Sequence, residues 1–273
     1  MQTELEYMVN STKDKLTFST LQIDFMLNNI GNTDPHLRDD IIYTLFARGF
    51  IENSFTNQQQ KLIAQKFIQA NNLFQDINQP QGDAIFLRSF SALLGNLILT
   101  KDTQEKFLTS KQQNLLFNWS IQYLTQEKDY RGFVQGKGWA HAIAHGSDFL
   151  AATLSHPNFK PQNLQEILQI IPNILASLTQ PLVDDEEERL ANAFAQGIKN
   201  NKIALINFVN LIKSVSEELK SNLNSQEQIN YWRLSSWIKM LHTWLFLIPE
   251  QPIIQQTLIQ EIKKYYHKMG YKL

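Results

Sequence analysis

The 273-residue chain contains no cysteine. That removes disulfides, thiolate nucleophiles and thiolate metal sites together, and it fits a cytoplasmic chain in a reducing compartment. Net charge is as scarce, with 25 basic residues against 26 acidic ones and a pI near 6.6. No global field is present to hold a polyphosphate backbone, so general nucleic-acid binding is disfavoured as a class, although a local patch is not. Long apolar runs are missing too. The most apolar stretch, Trp237 to Pro249, is broken by Lys239 and His242 and falls short of the roughly 20 residues that span a bilayer, so no membrane span is expected. Met1 to Asn10 carries Glu4 and Glu6 and lacks the basic start and apolar run of a signal peptide, which also favours the cytoplasm. Valine occurs only five times and no segment alternates apolar with polar residues for long, so strands are not expected.

Helical spacing is what remains, and it recurs along the whole chain. Ile63, Phe67, Ala70, Phe74 and Ile77 follow a 4,3,4,3 rhythm, and Leu205, Phe208, Ile212, Val215 and Leu219 follow 3,4,3,4. Each set lines one face of a helix. Asp34-Pro35 and Asp83 read as helix starts. The punctuation gives helices over 16–30 with 35–52, 56–77 with 83–99, 110–127 with 139–154, 161–179 with 185–200, and 204–222 with 226–247, then a last one after Pro252. Pro172 should kink or split its helix, because it removes an amide donor. The pairs repeat at roughly 40–47 residues, the period of two-helix solenoid units. No linker rich in glycine, serine or proline interrupts them. The expected fold is all-α: one domain over 1–273, an α-solenoid or HEAT-like superhelix of antiparallel helix pairs stacked in a right-handed curve.

Chemistry concentrates in residues 129 to 148, which hold four of the chain's ten glycines. Gly132, Gly136 and Gly138 permit positive φ in a loop that enters a helix, where exposed amides can receive an anion; the same glycines also serve a plain turn. In the helix drawn over 139–154, His141, His145 and Asp148 fall at i, i+4 and i+7 on one stripe, and Trp139, Ile143, Leu150 and Leu154 on nearly the opposite side, which predicts a buried Trp139. The flanks are alanines, with no other ionised residue type from Gly138 to Phe159 except His156. Two imidazoles one turn apart can share a divalent metal such as zinc, with the carboxylate as third ligand or ring orienter. They can equally fix helix packing through backbone carbonyls, or act as acid–base or anion-binding groups without any cofactor. No HExxH glutamate is present. Further polar candidates sit early in the second helix of each pair: Arg38 and Asp39, Arg88, Glu187 and Arg189, and Arg233. In a solenoid these would converge on one curved surface. Ala84, Ser91, Ala92 and Gly95 leave room beside Arg88. Trp232, Trp237 and Trp244 read as core.

Arg88-Ser89-Phe90, Asp129-Tyr130-Arg131-Gly132, Gly138-Trp139-Ala140-His141 with His145 and Asp148, and Glu187-Glu188-Arg189-Leu190-Ala191 together resemble a bacterial family of unknown function. The resemblance covers about residues 35 to 200 and implies an all-helical superhelix, with no reaction attached. Two functions compete. The first is a binding module for a peptide, a protein or a small anionic ligand, with Arg88, Arg131, Lys137, Trp139, His141, His145, Asp148 and Glu187 around a polar cleft. The second is a hydrolase-like enzyme in which His141, His145 and Asp148, with Asp39 or Glu187, hold a metal that activates water. Binding ranks first because it needs no catalytic geometry.

Overall fold

The computed structural model describes residues 1–12, 15–79, 82–223 and 227–272. Among these the chain is helical apart from one small hairpin, and it divides into two compact units, Met1–Pro157 and Asn158–Leu273. The first unit holds α1 (Gln2–Val9), α2 (Thr20–Asn29), a π-helix (His36–Tyr43) that runs directly into α3 (Thr44–Ile51), α4 (Asn57–Ala70), α5 (Ala84–Gln104), α6 (Ser110–Gln126) and α7 (Ala142–Ser155). The second holds α8 (Leu164–Ser177), α9 (Glu186–Lys199), α10 (Leu205–Asn222), α11 (Gln228–Leu247) and α12 (Pro252–Lys268). The expected start of α11 at residue 226 lies outside the described residues.

The helices begin where local chemistry satisfies their first amides. Ser19 with Gln22, Thr56 with Gln59 and Thr109 with Gln112 each form a reciprocal capping box at the head of α2, α4 and α6, a device that satisfies two otherwise orphaned donors. One expected helix is shorter than its rhythm implied. The pattern from Ile63 to Ile77 predicts a single helix, but α4 ends at Ala70, where Asn71 turns left-handed at φ 51°. Asparagine tolerates that region, and its amide closes the last turn onto the Phe67 carbonyl. Ile77 stays in the core at 5% exposure by way of a 3-10 turn. Pro172, in contrast, does not split α8.

Within each unit, helices pack both on next-but-one neighbours (α1 on α3, α2 on α4, α3 on α5 and α5 on α7 in the first, α8 on α10, α9 on α11 and α10 on α12 in the second) and on immediate ones, as α6 on α7, α10 on α11 and α11 on α12. Phe46, Phe50, Phe86 and Phe149 fill the first core; Phe194, Phe208, Trp237 and Trp244 fill the second. Each such side chain contributes about 1.5–3 kcal/mol by leaving water. The two indoles keep their N–H groups satisfied, Trp237 on Ser216 Oγ and Trp244 on the Ala191 carbonyl, both at 2.8 Å. Trp232 is half-buried. Among the described residues one helix, α5, has the length and hydropathy to cross a membrane, and most of it is buried inside the first unit.

The hairpin corrects the expectation of a sheet-free chain. Strands β1 (Phe133–Val134) and β2 (Gly138–Trp139) pair antiparallel with Phe133 opposite Trp139. The loop closes through Lys137 N–H on the Val134 carbonyl at 3.0 Å, with Gly136 at φ 76°, a three-residue connection that demands a left-handed residue.

Candidate functional site

The hairpin displaces the start of α7, so the histidine stripe is not wholly helical. Helix α7 begins at Ala142, and His141 is its N-cap, left-handed at φ 47° and ψ 36°. A non-glycine residue held there stores strain, which surrounding structure must over-determine. Here the over-determination is visible. Ala140 and His141 continue the hairpin by donating to the carbonyls of Gly132 and Arg131 at 2.8 and 3.1 Å, and the His141 carbonyl starts the helix by accepting from His145 N–H at 2.9 Å.

A second fastening comes from the π-helix. A π-turn is wider than an α-turn and is frequent at functional sites; this one presents Arg38, which is 0% exposed. Its guanidinium lies 4.4 Å from the Phe86 ring centre and 4.7 Å from that of Phe90, a favourable seat for a desolvated cation. Its nitrogens donate to Asn32 O at 2.6 Å, Lys137 O at 2.8 Å and Trp139 O at 3.4 Å, and Nε meets Asp39 Oδ1 at 2.7 Å. Arg38 therefore ties the π-helix to β2 across about a hundred residues. Gly138 makes the approach possible. It sits at φ 75°, and a Cβ there would lie 2.7 Å from Pro35 Cβ and 3.2 Å from Arg38 Nη2.

From Arg38 a ladder of rings leads outward. Phe90 meets His145 edge-on at 5.1 Å, His145 meets His141 edge-on at 5.6 Å, His141 stacks on Trp139 at 4.2 Å and 23°, and Trp139 meets Phe133 edge-on at 5.0 Å. Exposure rises along it, from 6% at His145 to 40% at Trp139 and 56% at Phe133. The expected buried Trp139 is thus wrong: the indole rides on a strand, not on α7, and the strand carries it to the surface. Beside the ladder stands Asp39, whose carboxyl is pushed up to about 6 because burial outweighs the attraction of Arg38. Asp148, one turn beyond His145 on α7, is half-buried.

The other expected anchors are already engaged. Arg88 is 3% exposed and does not reach toward solvent. Its Nε and Nη2 clasp the fully buried Glu127 at 2.7 and 2.9 Å, and Nη1 donates to the carbonyls of Gln75 and Asp76. Arg88 thus spends its donors inside the fold, on Glu127 and two backbone carbonyls. Arg131 forks onto Asp129 and donates to Gly82 O at 2.7 Å. Lys137 Nζ sits between the two Asp83 oxygens at 2.6 and 2.8 Å. Glu187, on α9 of the second unit, is 2% exposed and pairs with Lys239, which also meets Glu188. Arg233 donates to the carbonyls of Ala176 and Leu178.

Sequence reading missed Phe133 and Phe90. The signal for Phe133 was present: Gly136-Lys137-Gly138 between two aromatics is a hairpin pattern. Comparison with known proteins adds a family and no chemistry. A family model described as "Protein of unknown function (DUF2785)" matches residues 73–247, a span that holds the hairpin and the histidines but not Arg38 or Asp39. No curated protein and no solved structure matches the chain.

Proposed function

The chain belongs to the DUF2785 family of proteins of unknown function, and we propose that it is a binding module. Its ligand is a peptide or protein segment that lays an apolar side chain on Phe133 and Trp139 and offers a hydrogen-bond donor to Asp39. The observation that carries this reading is the Trp139–His141 stack, held half-exposed at 4.2 Å on a hairpin pinned by a fully buried arginine. Rigid aromatic surface costs little ordering entropy on binding and is what interfaces use as anchors. Of the three partner classes, the small anion loses ground. A small anion needs unpaired cations, yet Arg38, Arg88, Arg131 and Lys137 each face a carboxylate at 2.9 Å or less. Next-but-one helix packing within each unit supports a helical-repeat scaffold around the site.

The test is a peptide array probed with the wild-type chain and with Trp139→Ala. Affinity of wild-type hits should fall at least about tenfold in the variant, as for an anchor residue. Hits bound equally by both remove the reading. A second reading, a metal-dependent hydrolase, is favoured by one observation, the 5.6 Å spacing of the His141 and His145 rings. Zinc calorimetry separates the two: stoichiometric binding lost in a His141→Ala, His145→Ala variant would favour the metal.

A further inference from the structure

A groove of about 560 Å³ lies between α2, α4 and α5 of the first unit, within the range that takes metabolite-sized molecules. It shares no lining residue with the aromatic ladder. Gly31 shapes one end: a Cβ there would fall 2.4 Å from Leu87 Cα, so the chain leaving α2 lies directly against α5. Ile30, Phe67 and Leu94 give the groove a buried apolar floor, and the amides of Asn28 and Gln69 stand exposed at its rim. Asp24 and Lys66 meet there at 2.6 Å.

Ser91 lies in that apolar floor. It is 1% exposed and lines the groove, and among the described residues its hydroxyl has no hydrogen-bond partner. The other buried serines on the helices of this unit behave differently: Ser89, Ser120 and Ser147 each donate to a carbonyl three or four residues back, at 3.3, 2.9 and 2.7 Å, as helical serines usually do. A hydroxyl that bonds nothing in the chain is open to whatever fills the groove. Charge narrows what answers it. The groove's one cation and one anion already neutralise each other, so an ionic ligand must break that pair to gain a partner.

We propose that this groove is a second binding site, for a neutral small molecule with an apolar ring or branched body on Ile30, Phe67 and Leu94 and a hydroxyl or carbonyl oxygen bonded to Ser91. The test uses the full chain and four naphthalene probes read by their own fluorescence: 2-naphthalenemethanol, 2-methylnaphthalene, 2-naphthoate and 2-naphthylmethylammonium. The alcohol should bind saturably and about fivefold tighter than the hydrocarbon, the worth of one neutral hydrogen bond, and tighter than either ion. Ser91→Ala should bring the alcohol down to the level of the hydrocarbon, with a thermal midpoint equal to or above that of the wild type. Ala70→Trp, which places an indole at the exposed edge of the groove, should abolish binding of every probe. Trp139→Ala should change nothing. The proposal is overturned if no probe binds, if an ion binds as well as the alcohol, if Ser91→Ala keeps the alcohol's advantage or lowers the midpoint, or if Trp139→Ala removes the alcohol.

Discussion

Arg38 and Arg88 are both buried cations in the same unit, and they do opposite things. Arg88 meets a carboxylate as buried as itself, and Glu127 in turn accepts from Lys128 and Asp129 amides at 3.0 and 2.9 Å. Every charge in that clasp is answered from inside, which pushes the guanidinium pKa up despite its burial. Arg38 meets a carboxylate that is 22% exposed and spends its other nitrogens on backbone carbonyls of the hairpin. Its partner Asp39 is left poorly compensated, near 6. The difference separates a fastening that closes on itself from one that leaves a titratable group at the surface beside an exposed aromatic row. Perturbed titratable groups of the second kind are the ones that cluster at functional sites.

The sharpest way to break this comparison is to cut the closed clasp. Arg88→Ala leaves Glu127 buried without its counter-ion, and should destabilise the chain by about 3–5 kcal/mol, as for one partner removed from a buried pair. Urea unfolding measures it. A loss below about 1 kcal/mol would mean that the clasp is no more than a surface pair.

Next comes the open pair, through pH. Asp39 is raised from 3.8 to about 6 in the folded chain, so its contribution to stability is fully present below the unfolded value and is lost as pH rises through about 6. Relative to the wild type, Asp39→Asn should therefore gain stability as pH climbs from about 3.5 to 7.5, by at most about 3 kcal/mol. The constant offset from losing the ion pair does not matter, because only the change with pH is read. Parallel curves would show that Asp39 titrates normally and that the two arginine sites do not differ in this respect.

Gly138 tests the fastening between them. Gly138→Ala must leave φ 75° or push Pro35 and the Arg38 guanidinium aside, at a cost of about 2 kcal/mol. Its diagnostic reading is the fluorescence of the hairpin indole, which should shift as Trp139 loses its seat on His141. An alanine variant with wild-type stability and spectrum would show that Arg38 does not hold the hairpin.

Legibility in the sequence followed the range of the physics involved. Helices were readable because a 3.6-residue rhythm is local: the sequence places α10 over 204–222, and Phe208, Ile212, Val215 and Leu219 are all buried. Residues 129 to 148 stand out in the sequence by glycine density and histidine spacing, but not as the hairpin and N-cap they form. What escaped was decided by distant partners. Arg88 reads as an anchor with room beside it, and only the fold brings Glu127 onto its guanidinium. The seat of Arg38 is made by Phe86 and Phe90 of α5, a contact no local rule predicts. Trp139 is the plainest case, since starting the helix at 139, three residues ahead of Ala142, moved an indole from surface to core.

Trp139 is therefore expected to separate a small effect on stability from a large one on binding. A fully buried indole would cost about 3–5 kcal/mol on truncation. At 40% exposure, with one face on His141 and an edge toward Phe133, Trp139→Ala should cost only about 1 kcal/mol, the part of its area that is out of water plus one ring contact. Phe133→Ala, removing a still more exposed ring, should cost less. If the hairpin is a binding surface, both variants keep their unfolding midpoints close to that of the wild type and lose peptide affinity, so stability and binding separate. In the Arg88 clasp they cannot separate, because a ligand there has nothing left to pair with. A Trp139→Ala variant that unfolds by about 3 kcal/mol or more while retaining its ligands would reverse the assignment, making the hairpin the structural region and returning the search for a site to the rest of the chain.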